Sequence, residues 1–177
     1  AGALADHDTF GGFKEFKEVF NGIAVPGVEL SVQYKDMGLH LLAYGFDPDN
    51  KVFIERLEHF QKIRYHRIEA MCDRLSDLGK PLTIEEVKKN YPDDTTLGRP
   101  HIARALIAKG YIKSFNEAFN KYIGDGKIAY VPKARLDFDE ALALIKLSGG
   151  ISILAHPGLF LPEMSFDVMK MLPVNGF

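Results

Sequence analysis

Between Gly27 and Phe46 the sequence reads GVELSVQYKDMGLHLLAYGF, two apolar runs with an ionisable side chain set into each. Val28, Leu30 and Val32 alternate with Glu29 and Ser31, the period-two pattern of a strand with a carboxylate on its more polar face. His40 lies among Leu39, Leu41 and Leu42, so GLHLLAYGF reads as a buried strand carrying one imidazole. A buried polar group must find a partner. Alone, His40 reads as a core histidine whose ring nitrogens meet backbone groups. In the company of similar residues on neighbouring strands, it reads as a ligand pointing along a strand toward a metal.

The company exists. Ala3–Ala5 resembles the end of a buried strand running into Asp6-His7-Asp8, and GGISILAHPG is a short β-branched run that stops at His156 before Pro157-Gly158. Four places thus share one grammar, a short apolar strand that ends in or contains a His or carboxylate and then turns. In α/β barrels such strand-end residues converge on one face. Three imidazoles and a carboxylate meeting there would suit a first-row metal, with Asp6 and Asp8 placed to orient the His7 ring from outside the ligand set.

Helical patterns fill the intervals. Phe13, Phe16, Val19 and Phe20 stand at helical spacing and Gly22 ends that segment. A long helix is expected over about 52–78, with Phe53, Leu57, Phe60, Ile68, Met71, Leu75 and Leu78 inward and Gly79 at its end. Thr83 with Glu86, Ser114 with Glu117 and Asp137 with Glu140 have capping-box spacing, and Pro100 suits the first turn of a helix ending at Gly110. The expected class is therefore α/β: an α/β framework over residues 1–50 and 131–177, interrupted by a helical insertion over 51–130.

Composition narrows the function. The 177 residues, 46% hydrophobic, can bury a sizeable core as one domain with a modest insertion. A formal charge of −2 gives no sign of binding to a long nucleic-acid duplex or to a membrane surface. No apolar stretch approaches the roughly 20 residues that span a bilayer. The single cysteine, Cys72, forms no internal disulfide and fits a reducing cytoplasm. The chain opens without Met in an apolar run and closes as another begins, so both ends read as cut from a longer protein.

LADHDTFGG, GVELS, GLHLLAY and ILAHPG together resemble motifs of the PHP (polymerase and histidinol phosphatase) family of metal-dependent phosphoesterases. GRPHIARALIAKGYIKSFNEAF and YIGDGKIAYVPK resemble the insertion of the branch containing nucleoside 3′,5′-bisphosphate phosphatases and a 5′–3′ exonuclease on RNA. The resemblance implies part of a distorted (β/α)7 TIM-like barrel with a helical insertion subdomain. It makes His7, Glu29, His40 and His156 ligands of two or three divalent ions (Mn, Fe or Zn), with Glu29 bridging two of them. A metal-bound hydroxide would then attack the phosphorus of a small nucleotide or short RNA. The family's opening His-x-His pair would precede Ala1, and its closing Asp-x-His motif would follow Phe177. Two other readings stay open: a phosphatase of the histidinol-phosphate type, and a non-catalytic, metal-depleted module.

Arg99 and His101 open a predicted helix, whose N-terminus favours anions, and in the family this insertion overhangs the metal site. They are candidate substrate-phosphate contacts, as are Lys133 and Arg135 in VPKARLD, where the chain re-enters the barrel. Each could equally be a locally paired or solvated residue. His59 and His66, seven apart on a basic helix, read as a solvated flank, and Cys72 has no partner pattern for a nucleophile.

Overall fold

The computed structural model describes residues 1–92, 95–160 and 164–177. Its described strands are β1 (Gly2–Leu4), β2 (Ala24–Tyr34), β3 (Met37–Tyr44), β4 (Leu136–Asp137) and β5 (Ile151–Leu154). The helices are α1 (Phe13–Val19), α2 (Lys51–Asp77), α3 (Ile84–Lys88), α4 (Arg99–Ala108), α5 (Phe115–Ala118), α6 (Phe138–Leu147) and α7 (Phe166–Lys170). The chain divides into two compact units, Ala1–Glu58 with Arg135–Phe177, and His59–Ala134. The division runs through α2, whose apolar stripe is continuous in sequence.

The first unit is a mixed sheet with helices. β1 and β4 each pair in parallel with β2, β3 pairs antiparallel with β2, and β5 antiparallel with β3. The alternation in β2 and β3 sets the two faces. Val28, Leu30, Val32, Leu39, Leu41 and Ala43 are fully buried. Phe138 at the start of α6 meets Tyr34 edge-on at 4.9 Å on that side, and Ala141 and Ile145 are buried behind it. The register pairs Glu29 with Leu42, Ser31 with His40 and Gln33 with Gly38, so these residues share the opposite face. The expected strand over Ala3–Ala5 runs from Gly2 to Leu4 instead.

α1 departs from its amphipathic pattern, because none of its residues is buried. Its rings satisfy one another: Phe16 and Phe20 stack at 4.8 Å, and Phe20 lies against the backbone of Gly2 and Gly22. The cap expectations resolve in three different ways. Thr83 and Glu86 form the full reciprocal box. Ser114 accepts from the Glu117 N–H, but the Glu117 carboxylate accepts from the N–H of Lys113. Asp137 accepts from the N–H groups of Asp139 and Glu140, while the Glu140 carboxylate pairs with Arg56 at 2.6 Å.

The second unit is helical. Ile68, Met71, Cys72 and Leu75 of α2 pack with Ile84 and Val87 of α3 and with Ile102 and Leu106 of α4 in one buried cluster. Gly79 and Gly110 end their helices with φ of +70° and +73°, a conformation in which glycine avoids a Cβ clash.

Candidate metal centre

Glu29 is central to the site. It projects from the polar face of β2, is nearly buried, and its described polar partners are three imidazoles. Oε1 lies 2.9 Å from His40 Nδ1 and 3.0 Å from His156 Nε2, and Oε2 lies 3.7 Å from His7 Nδ1. Donor atoms of His7, Glu29 and His40 all fall within 4.8 Å of one another. The His7 and His40 ring centroids are 4.9 Å apart, and those of His40 and His156 are 5.9 Å apart.

Backbone pairing delivers each member. His7 bridges Glu29 in parallel, with the Asp8 N–H donating to the Glu29 carbonyl and the Glu29 N–H to the Asp6 carbonyl, both at 2.9 Å. His40 faces the site because it is the register partner of Ser31, two residues along β2 from Glu29. The Ala155 N–H donates to the His40 carbonyl at 3.0 Å, which brings His156 alongside. Asp8 and His156 take left-handed backbone, φ +55° and +50°, just where β1 and β5 hand over to the site. Asp and His are among the residue types that tolerate this region, and such conformations gather at functional sites.

Asp8 is buried, and its oxygens accept from the Ser31 N–H at 2.6 Å and the Ser31 hydroxyl at 3.0 Å. This pins the His7 turn onto β2 beside Glu29. Ser31 escapes sequence reasoning as a functional residue, although its position two residues from Glu29 on one strand face is the signal that could have found it. Asp6 contributes its carbonyl to the pairing and bridges Thr9.

The donor set fits a divalent cation. Each imidazole nitrogen here either donates its N–H to the carboxylate or, in the other tautomer, offers a lone pair, and three such lone pairs with two carboxylate oxygens make a donor set that can surround a cation. Mixed nitrogen and oxygen donors of this kind suit first-row metals. The His7 and His156 side chains are about half exposed, so the centre opens to solvent.

The phosphate candidates differ among themselves. Arg99 begins α4, where its Nη1 meets the Asp125 carboxylate at 3.2 Å and the Ile123 carbonyl at 3.4 Å. Its guanidinium also lies 5.5 Å from the ring centroids of Phe119 and Tyr130. His101 turns back on its own helix start, Nδ1 accepting from the Gly98 N–H at 3.0 Å, with its ring edge-on to Tyr91. Burial, the largest influence, holds its imidazole below the ordinary histidine range. Lys133 is half-buried in the segment before β4. Arg135 is exposed and donates to Gln33 Oε1 at 3.2 Å, on the face of the sheet that carries Glu29. Gln33 is a second residue that sequence reasoning missed.

No protein-family model matches the chain. It is nevertheless homologous, over most of its length, to bacterial phosphate-ester hydrolases. A solved structure from Bifidobacterium adolescentis, presented as a metal-dependent phosphoesterase, superposes with a TM-score of 0.84 at 28% identity, covering 98% of this chain and 64% of that one. The chain is 31% identical to the 5′-3′ exoribonuclease of Haemophilus influenzae over 158 residues, 88% of this chain and 57% of the relative. It is 29% identical to the 3′,5′-nucleoside bisphosphate phosphatase of Chromobacterium violaceum, over 89% of this chain and 56% of the relative. The chain spans a little over half the length of these curated relatives. The resemblance read from its motifs, to the exonuclease and bisphosphatase branch of the PHP phosphoesterases, is thereby supported by relatives of both kinds.

Proposed function

We propose that this protein is a metal-dependent phosphoesterase that hydrolyses nucleotide phosphate esters, either a 3′,5′-bisphosphate or successive 5′ nucleotides of a short RNA. The observation that carries this reading is one nearly buried carboxylate touching three imidazoles drawn from separate segments of the chain. His7, Glu29, His40 and His156 would hold the cations, two or three Mn, Fe or Zn ions. Bound there, the cations would acidify a water molecule and offset the charge of a phosphate group. The protein's part is to hold donor atoms in place. The Asp8–Ser31 clamp fixes the His7 turn, and β2–β3 pairing fixes Glu29 against His40. Arg135 offers the phosphate a cation on the same sheet face. The high TM-score supports reading residues 1–50 and 131–177 as part of a (β/α)7 barrel, with 51–130 as its helical insertion. Among the described residues no helix is long and apolar enough to cross a membrane. A buried, unpaired thiol suits a reducing cytoplasm.

Metal analysis and phosphate release together test the reading. The purified protein is expected to retain divalent metal and, loaded with Mn(II), to release phosphate from adenosine 3′,5′-bisphosphate or mononucleotides from a 5′-labelled short RNA. Glu29→Gln should lower Mn(II) affinity by more than the roughly 10- to 100-fold that loss of an outer-shell partner costs, and turnover with it. Wild-type metal affinity in that variant would remove Glu29 from the ligand set. A protein that binds no metal would point instead to the non-catalytic module.

A further inference from the structure

Arg135 lies across the surface of Gly38. A Cβ at position 38 would stand 2.6 Å from Cζ, Nε and Nη2 of the Arg135 guanidinium, far inside van der Waals contact. Any side chain at 38 must therefore displace the guanidinium. The backbone of Gly38 is not in the left-handed region, so the want of a side chain, not of a special φ, is what this position supplies.

The second support is Gln33, the register partner of Gly38. Its Oε1 accepts from Arg135 Nη1 at 3.2 Å, and its own Nε2 donates to the Lys35 carbonyl at 2.8 Å, which fixes which way the amide points. Both residues share the sheet face of Glu29, Ser31 and His40, and Gly38 lies two residues, about 7 Å, from His40 along β3. The pairing of Arg135 also differs from that of Arg99. Arg99 is matched by the Asp125 carboxylate, whereas Arg135 makes no ion pair among the described residues and its one hydrogen bond is to a neutral amide. Most of its planar fork stays available, the geometry that matches phosphate oxygens two at a time.

We propose that Gly38 and Gln33 are positioning residues that seat Arg135 as the fork reading a substrate phosphate beside the Glu29–His40 cluster. The proposal rests on the phosphoesterase reading of that cluster and adds what tunes its affinity for phosphate. Neither residue touches substrate; each acts through the guanidinium.

Binding of adenosine 3′,5′-bisphosphate tests this by calorimetry, with and without Mn(II), the Mn(II) affinity being measured separately in the same preparations. Gly38→Ala and Gln33→Leu should each weaken bisphosphate binding about tenfold, as loss of a well-placed charged hydrogen bond does, and leave Mn(II) affinity unchanged. In an Arg135→Ala background both substitutions should add almost nothing, because the group they seat is gone. Arg135→Lys should not restore binding, since an ammonium offers no fork. Binding within about twofold of wild type in Gly38→Ala and Gln33→Leu, or equal losses with and without Arg135, overturns the proposal. Gln33→Leu leaves the backbone unaltered and so decides the matter should Gly38→Ala disturb folding. If the wild-type protein binds no Mn(II), the phosphoesterase reading falls, while the coupling of 38 to 135 in metal-free protein still decides this one.

Discussion

Asp8 shows how much one side chain can organise. Its two oxygens take both hydrogen-bond donors of Ser31, deep in the sheet, and so tie the turn bearing His7 to the strand bearing Glu29. Asp8→Ala should therefore cost about 2 kcal/mol in urea unfolding, in line with hydrogen bonds to a charged acceptor. Ser31→Ala should cost less, and the two losses should fall short of additive. The metal centre should loosen in both, since His7 loses its anchor. Cys72 marks the opposite case, a reactive type made inert by place. Burial pushes its thiol up to about 12, against 9.0 for an exposed thiol. It should resist alkylation in the folded protein at neutral pH and react on unfolding. The unfolded chain releases this proton first, so stability should fall as pH rises from 9.0 toward 12. A Cys72→Ala variant, followed by thermal melts across that range, should lose this component of the alkaline decline.

At the scale of elements, the helix starts carry the testable content. The reciprocal box of Thr83 and Glu86 satisfies two otherwise orphaned N–H groups of α3, so Thr83→Ala should cost about 1 kcal/mol. At α4 an imidazole takes this role, with His101 Nδ1 accepting from the Gly98 N–H in place of a hydroxyl or carboxylate. That bond needs the neutral ring, which burial favours by holding the imidazole below 6.5. The stability it confers is fully present above pH 6.5 and is lost as pH falls below that, because the unfolded chain takes up the proton first. Thermal melts below neutrality should show this acid limb in the wild type and a flatter one in His101→Gln. Strands and helices were largely legible because their signals are local: alternation in β2 and β3, a six-residue apolar stripe in α2, and Thr83 three residues before Glu86. α1 was legible as a helix as well, but its bareness was not, since periodicity tells which face is apolar but not whether anything covers it.

For the whole molecule, the centre is assembled from segments that begin at residue 7 and end at residue 156, so occupying it should stabilise the fold that gathers them. Mn(II) at a hundred times its dissociation constant should add about 2.7 kcal/mol to unfolding, read as a rise in melting temperature that Glu29→Gln abolishes. An unchanged melting temperature in the wild type would contradict a shared centre. Conversely, Leu106→Ala should cost about 2–5 kcal/mol through the helical unit's core without altering metal affinity. The sequence by itself determined which residues could meet: Glu29, His40, His7 and His156 each sit in or at the end of an apolar strand, and that grammar is written within a few positions. Tertiary structure alone decided which cations are spoken for. Arg99 meets an aspartate 26 residues away, and Arg135 meets a glutamine 102 residues away over a glycine. The reason is physical: strand and helix patterns follow from neighbours along the chain, whereas pairing between distant side chains follows from sheet register, which no local pattern encodes.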